Sequence, residues 1–121
     1  MNDKILVTYA SRGGSTAGIA EVIGQVLATN GTVVDVCPIQ EANDLAPYRA
    51  VVIGSAVHSG KWMPEAMAFV ESNRNTLRRI PTAVFQVCMM LATSNQEYQH
   101  MASEWLAPLR AQIQPVAQAS F

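Results

Sequence analysis

Six residues near the amino terminus have the composition of an anion-binding turn. Residues 11–16 combine two adjacent glycines, three hydroxyl side chains and one arginine. Gly13 and Gly14 allow backbone N–H groups to converge without a Cβ in the way, and Ser11, Ser15 and Thr16 add hydroxyl donors. A helical pattern follows, whose first N–H groups are unpaired and lie at the positive end of the helix dipole. The turn therefore predicts a phosphate site.

Two roles within this turn stay open from the residues alone. Ser15 and Thr16 either contact the anion or only cap the helix, and Arg12 either adds charge to the site or points into solvent. The turn lacks the Gly-Lys-Ser/Thr ending of a P-loop, and Gly13-Gly14 does not fit the GxGxxG pattern of dinucleotide sites. ATP and NAD are therefore disfavoured as ligands.

Short apolar runs predict the strands that position this turn. Four runs are rich in Val, Ile, Tyr and Phe and are bounded by turn residues, which is typical of buried strands. They cover residues 4–9, 32–37, 50–55 and 82–88, and residues 116–121 resemble the start of a fifth strand. We expect the second strand to be an outer one and the third to be central, because the third is more continuously apolar.

Helical spacing of apolar residues separates these strands. It predicts one helix over about 16–29, a second beginning at Pro64, and a third after the Ser-x-x-Glu capping box at 94–97. The second helix is expected to carry Met67, Val70 and Leu77 on one face. Pro108 is expected to kink the third helix or end it early. The alternation predicts an α/β fold, with a parallel sheet and helices on both faces, in one domain over residues 1–121.

Composition and charge exclude several function classes. The 8 basic and 9 acidic side chains nearly cancel and are scattered, which disfavours binding to nucleic acid. The sequence contains neither an apolar run long enough for a membrane span nor a signal-peptide pattern, so we expect a cytoplasmic protein. Cys37 and Cys88 lie in separate apolar segments without metal-ligand spacing, and we expect both in the core.

Two segments carry a family resemblance. Residues 7–23 resemble the phosphate-binding signature of flavodoxins, through Tyr9, Ser11, Gly14, Thr16, Ala20 and Ile23. Residues 44–70 are similar to the flavodoxin-like family that includes menaquinone-dependent protoporphyrinogen oxidase. The shared features there are Asp-Leu before Tyr48, the Gly-Ser that ends the third strand, and Gly60-Lys61-Trp62.

This resemblance implies a three-layer, doubly wound flavodoxin-like sheet of strand order 2-1-3-4-5, with FMN at the ends of strands one, three and four. It implies an oxidoreductase in which electrons pass through the flavin to a quinone or other acceptor. The alternatives are an electron carrier between protein partners and a non-catalytic flavodoxin-like module. The chain's formal charge of −1 weakens the carrier alternative, because such carriers are usually strongly acidic. No side chain is predicted to be catalytic.

The resemblance also implies where FMN would be held. The loop over residues 55–62 would flank the flavin ring, and the segment after strand four would approach the ring's pyrimidine end. Trp62 either stacks on the flavin or substrate or anchors the loop, His58 either touches them or is solvated, and Met89 and Met90 either face the flavin or lie in the core. The predicted cofactor-binding residues are Ser11, Arg12, Gly13, Gly14, Ser15, Thr16, Ala56, Val57, His58, Trp62, Met89 and Met90.

The chain departs from this pattern after the fifth strand. Flavodoxin-like proteins continue into a further helix that covers one face of the sheet, whereas this sequence stops at Phe121. We therefore expect apolar side chains of the central strands to lie open. Three explanations remain: a fragment, a homo-oligomer that covers the exposed face, or a dispensable helix.

Overall fold

In the part of the chain that the structure describes, six strands form one sheet. The computed structural model describes residues 4–11, 14–29, 31–58, 61–88 and 95–121, without the side chains of His58 and of residues 95–103. Its strands are β1 (Lys4–Ala10), β2 (Val34–Pro38), β3 (Tyr48–His58), β4 (Lys61–Trp62), β5 (Thr82–Cys88) and β6 (Ala117–Ser120). The predicted fifth strand is thus present, and it is numbered β6 because β4 adds a short hairpin.

Four α-helices and one 3₁₀ turn connect these strands. The helices are α1 (Ser15–Ala28), α2 (Pro64–Ser72), α3 (Arg74–Arg79) and α4 (Asn95–Ile113), and the 3₁₀ turn covers Ile39–Glu41. The predicted second helix is divided at Asn73, whose side-chain amide donates to the carbonyl of Phe69 at 2.9 Å. A side chain that competes for backbone groups in this way favours a helix end.

Pro108 was expected to kink the third helix or end it early, and the early end does not occur, because α4 continues through Pro108 to Ile113. The ring removes one backbone hydrogen bond and crowds the preceding turn, at a cost of about 3 kcal/mol. Leu106, Leu109 and Ile113 are buried on both sides of it. Burying each such side chain contributes about 1.5–3 kcal/mol, which is enough to offset that cost.

The sheet has the predicted topology. Its strand order is β2-β1-β3-β5-β6 with parallel pairing throughout, and β4 pairs antiparallel with the end of β3. This is the expected order 2-1-3-4-5 once the hairpin strand is set aside. All the parallel strands therefore present their carboxyl ends at one edge, where ligands of open α/β sheets bind.

The two faces of the sheet carry different cover. One face forms the larger core with α2, α3 and α4, and includes Leu6, Ile53, Val84 and Leu109. The other face packs against α1 and includes Val7, Ala20, Phe85 and Val87. No helix in the described part of the chain combines the length and apolar character needed to span a bilayer.

The expected opening of the central strands is not observed. Val7 is 0 % and Phe85 1 % exposed, because α1 and the ring of Phe121 cover them. The exposed apolar surface lies one layer further out, on Val22 and Val26 of α1 and on Phe121 itself. The strand is covered because Phe121 makes an edge-to-face contact with Phe85, with the ring centroids 6.2 Å apart.

Candidate cofactor site at the carboxyl edge of the sheet

The turn between β1 and α1 is shaped by a left-handed glycine. Gly14 has a φ of 91° and occupies the position before the first turn of α1, and its carbonyl accepts from the N–H of Gly18 at 3.1 Å. This backbone conformation favours glycine, because a Cβ would be strained there. No side chain caps the helix. Ser15 and Thr16 thus leave the first N–H groups of α1 without a hydroxyl acceptor.

Two hydroxyl groups at this turn are buried. Ser11 Oγ and Thr16 Oγ1 make no hydrogen bond to any described residue, and Thr16 is 1 % exposed. Leaving a buried polar group unpaired costs about 1–3 kcal/mol. Unsatisfied donors beside a helix amino terminus fit an anion that accepts several hydrogen bonds, so these residues are suited to a phosphate group. Arg12 and Gly13, predicted to share this site, lie outside the described residues.

The second part of the site is the hairpin formed by β3 and β4. Val57 pairs with Trp62, and His58 pairs with Lys61. Ser55 fixes the base of this hairpin, because its Oγ accepts from the Met63 N–H at 2.9 Å and donates to the Ala56 carbonyl at 2.8 Å. Ala56 and Val57 are half-buried at the edge of the sheet. The side chain of His58 lies outside the described residues.

Trp62 is held under the hairpin by a buried hydrogen bond. Its side chain is 5 % exposed, and its Nε1 donates to Oε1 of Gln86 at 3.0 Å. These contacts support the anchoring interpretation of this residue, since little of the indole surface is left for a ligand. Gln86 was not among the residues predicted from the sequence. A glutamine within the apolar run 82–88 was the available signal, because a polar side chain in a buried strand needs a hydrogen-bond partner.

The register brings the predicted loops to one level of the sheet. Ala10 pairs with Ser55, Ser55 pairs with Gln86, and Gln86 pairs with Ser120. The turn between β1 and α1 and the hairpin of β3 and β4 therefore leave the sheet from one row of neighbouring residues. The segment after β5, with the predicted residues Met89 and Met90, lies outside the described residues.

Two ionisable side chains near this edge, those of Cys37 and Tyr9, have raised pKa values. Burial, together with the negative charge of Glu41, raises the pKa of the Cys37 thiol. Burial likewise raises the pKa of Tyr9, with a smaller contribution from Glu21. Neither group offers an anionic nucleophile at neutral pH.

Solved structures share this architecture. A flavodoxin from the domain Archaea superposes with a TM-score of 0.70 at 18 % identity, over 98 % of this chain and 83 % of that one. The two-electron reduced flavodoxin of Megasphaera elsdenii gives 0.71 at 13 % identity, over 96 % and 84 %. The flavodiiron protein of Giardia intestinalis gives 0.71 at 16 % identity, over 98 % of this chain and 31 % of that one.

These TM-scores establish a common fold, which agrees with the predicted topology. A search of curated proteins gave no significant match. The family model described as a flavodoxin domain matches residues 6–121. Because this match covers nearly the whole chain, the chain belongs to the flavodoxin domain family, whose cofactor is FMN.

Proposed function

We propose that the chain holds FMN at the carboxyl edge of the sheet, with the phosphate in the turn before α1. The observation that carries this proposal is the pair of buried, unpartnered hydroxyls of Ser11 and Thr16 beside the left-handed Gly14. A phosphate would accept from both hydroxyls and from the first N–H groups of α1, at the positive end of its dipole. Arg12, Gly13 and Ser15 complete the proposed phosphate site.

The proposed ring site lies between the hairpin and the segment after β5. Ala56 and Val57 would form one wall of this site, and the ring contacts predicted from the sequence for His58, Met89 and Met90 stay part of the proposal. Trp62 would contribute by anchoring the hairpin. When bound, FMN supplies the redox chemistry, while the chain orients the ring and excludes water from it. No side chain of the chain is assigned a catalytic role.

For the reaction of the FMN-loaded chain, we propose a protoporphyrinogen-oxidase-like activity, with a quinone or other small molecule as the electron acceptor. It is supported by the resemblance of residues 44–70 and by the formal charge of −1, which is small for a carrier that docks on basic proteins. The cytoplasmic location predicted from the sequence stays part of this proposal. The test incubates the FMN-loaded chain with protoporphyrinogen, with and without a water-soluble quinone. Porphyrin fluorescence measures how fast protoporphyrinogen is oxidised. FMN binding without turnover would remove this activity and leave the carrier alternative.

The FMN site itself is tested by exchanging Gly14. Gly14→Asp is expected to weaken FMN binding about a hundredfold, because a carboxylate would meet the phosphate dianion. Gly14→Asn is the matched control, since asparagine has nearly the same shape, tolerates positive φ and carries no charge. Titration of flavin fluorescence measures both affinities. Equal affinities for the two variants would remove Gly14 from the phosphate site.

We also propose a homodimer through the exposed surface of α1. A groove of about 540 Å³ lies between α1 and Phe121, and its lining includes Gly18, Ile19 and Val22 as well as Gly14 and Ser15 of the turn proposed to hold the phosphate. Val22 and Val26 are 58 % and 60 % exposed. The occupant we propose is a second copy, because residues 14–28 and 115–121 contain one charged side chain, Glu21, so that two such surfaces meet with little repulsion.

Mass measurement in solution tests the homodimer. Val22→Lys is expected to convert the dimer to a monomer, because it places two like charges in the interface. Val33→Lys is the matched control, since Val33 is 55 % exposed and precedes β2, outside the residues that line the groove. A wild-type chain that remains monomeric at high concentration would contradict the homodimer.

A further inference from the structure

Gln86 is a fully buried amide with both ends paired. It is 0 % exposed in β5, its Oε1 accepts from Trp62 Nε1 at 3.0 Å, and its Nε2 donates to Ser120 Oγ at 3.0 Å. An indole N–H can only donate, so the amide oxygen must face Trp62 and the amide nitrogen must face Ser120. The orientation of this side chain is therefore dictated by its partners.

The hairpin that Gln86 contacts has little support of its own. β4 has two residues, and its ladder with β3 contains two pairs. So short a ladder is not independently stable. Two buried hydrogen bonds hold the end of β4 in place. Trp62 donates to Gln86, and the Met63 N–H donates to Ser55. Gln86 thus links the hairpin to the centre of the sheet and to β6.

We infer that Gln86 is the positioning residue for the ring-binding wall of the FMN site, an inference that rests on the proposed function. Without the amide, the indole N–H would be unpaired in a position that is 5 % exposed. The cost of a buried unpaired donor would drive Trp62 towards water, and Ala56 and Val57 would move with the hairpin. Gln86 acts on the flavin through Trp62 rather than by touching it.

A double-mutant cycle on the full chain tests this coupling. Gln86→Met keeps the volume and removes both hydrogen bonds, and Trp62→Phe keeps an aromatic ring and removes the donor. Each change is expected to weaken FMN binding about tenfold, and the double variant is expected to be no weaker than the worse single variant. Additive losses, or an unchanged dissociation constant for Gln86→Met, would overturn the inference.

Thr82→Val is the matched control, because Thr82 lies at the other end of the same strand. Its Oγ1 donates to the carbonyls of Leu77 and Ile80 at 2.9 and 3.1 Å, so the change removes buried hydrogen bonds of the same kind. It is expected to lower the melting temperature while leaving the FMN dissociation constant within about twofold. A tenfold loss of FMN affinity in this control would show that destabilising β5 anywhere is sufficient, and would overturn the specific role of Gln86.

A measurement on the flavin-free chain separates this inference from the proposed function. Hydrogen exchange of the Trp62 indole N–H, assigned among the chain's two tryptophans with Trp62→Phe, is expected to be at least about tenfold faster in Gln86→Met. If the wild-type chain binds no FMN, the proposed function fails, and this exchange rate alone decides whether Gln86 holds the hairpin. An unchanged rate would overturn the inference in either case.

Discussion

The two edges of the sheet treat their buried hydroxyl groups differently. At the amino edge, Thr82 donates to two backbone carbonyls, and the Tyr48 hydroxyl donates to Asp35 Oδ2 at 2.8 Å. At the carboxyl edge, the hydroxyls of Ser11 and Thr16 have no partner among the described residues. Since an unpaired buried hydroxyl is costly, the comparison indicates that the amino edge is built for stability and the carboxyl edge for a ligand.

The largest expected effect lies in the middle of the sheet, between the two edges. The ring of Phe85 lies directly over Gly54, and a Cβ at that position would collide with it. Gly54→Ala is expected to lower the free energy of unfolding by about 3 kcal/mol or more, because the ring cannot move without opening the α1 face of the core. Chemical denaturation measures this loss. A change below about 1 kcal/mol would show that the Phe85 ring is free to shift.

At the amino edge, Thr82→Val is expected to reduce the free energy of unfolding by about 1–2 kcal/mol, since the variant leaves the carbonyls of Leu77 and Ile80 without this donor. Urea denaturation without flavin measures the change. The comparison requires a loss here, and a neutral or stabilising result would contradict it.

At the carboxyl edge, Thr16→Val is expected to have the opposite sign in the flavin-free chain. It replaces an unpaired buried hydroxyl by a methyl group of similar size, which should raise the free energy of unfolding by about 1 kcal/mol. The same change should weaken FMN binding about tenfold, because the phosphate loses a donor. Denaturation and flavin titration on one preparation test both signs. A variant that loses stability without flavin would contradict the unpaired state of Thr16.

The last expected effect concerns pH. Burial and the hydrogen bond to Asp35 raise the pKa of Tyr48 to about 12. The folded chain therefore holds this proton more tightly than the unfolded chain, whose tyrosines titrate near 10. Stability from this group is complete below about pH 10 and is lost as the pH rises towards 12.

Tyr48→Phe is the control for this pH dependence, because Tyr9 also contributes to alkaline titration. The difference in unfolding free energy between wild type and Tyr48→Phe should be constant below about pH 10 and should decrease above it. A difference that stays constant up to pH 12 would show that the pKa of Tyr48 is not raised.

The sequence predicted the features that depend on local pattern. Strand order, the glycine turn before α1 and the start of α2 at Pro64 follow from apolar periodicity, glycine placement and capping chemistry, which act over a few residues. Features that depend on tertiary packing were missed. β4 is too short for a periodic pattern, α4 continues through Pro108 because of burial on both sides, and the Gln86 bridge joins residues separated by 24 and 34 positions.

The cofactor-binding residues predicted from the sequence divide in the same way. At the turn before α1, Gly14 has a left-handed backbone and the hydroxyls of Ser11 and Thr16 have no partner among the described residues, which is the basis for proposing a phosphate site there. For Trp62, the residue type was compatible with both stacking and anchoring. A hydrogen bond to a distant strand distinguishes them, and no local pattern encodes that bond.

The most direct test of the account compares FMN with riboflavin, which has the same ring system and lacks the phosphate. Isothermal titration of the full chain with each compound measures what the turn before α1 contributes. The account predicts that FMN binds at least about a hundredfold more tightly than riboflavin, and that Gly14→Asp removes most of this difference. Equal affinity for the two compounds, or no binding of FMN, would contradict a phosphate site at the turn of Ser11, Gly14 and Thr16.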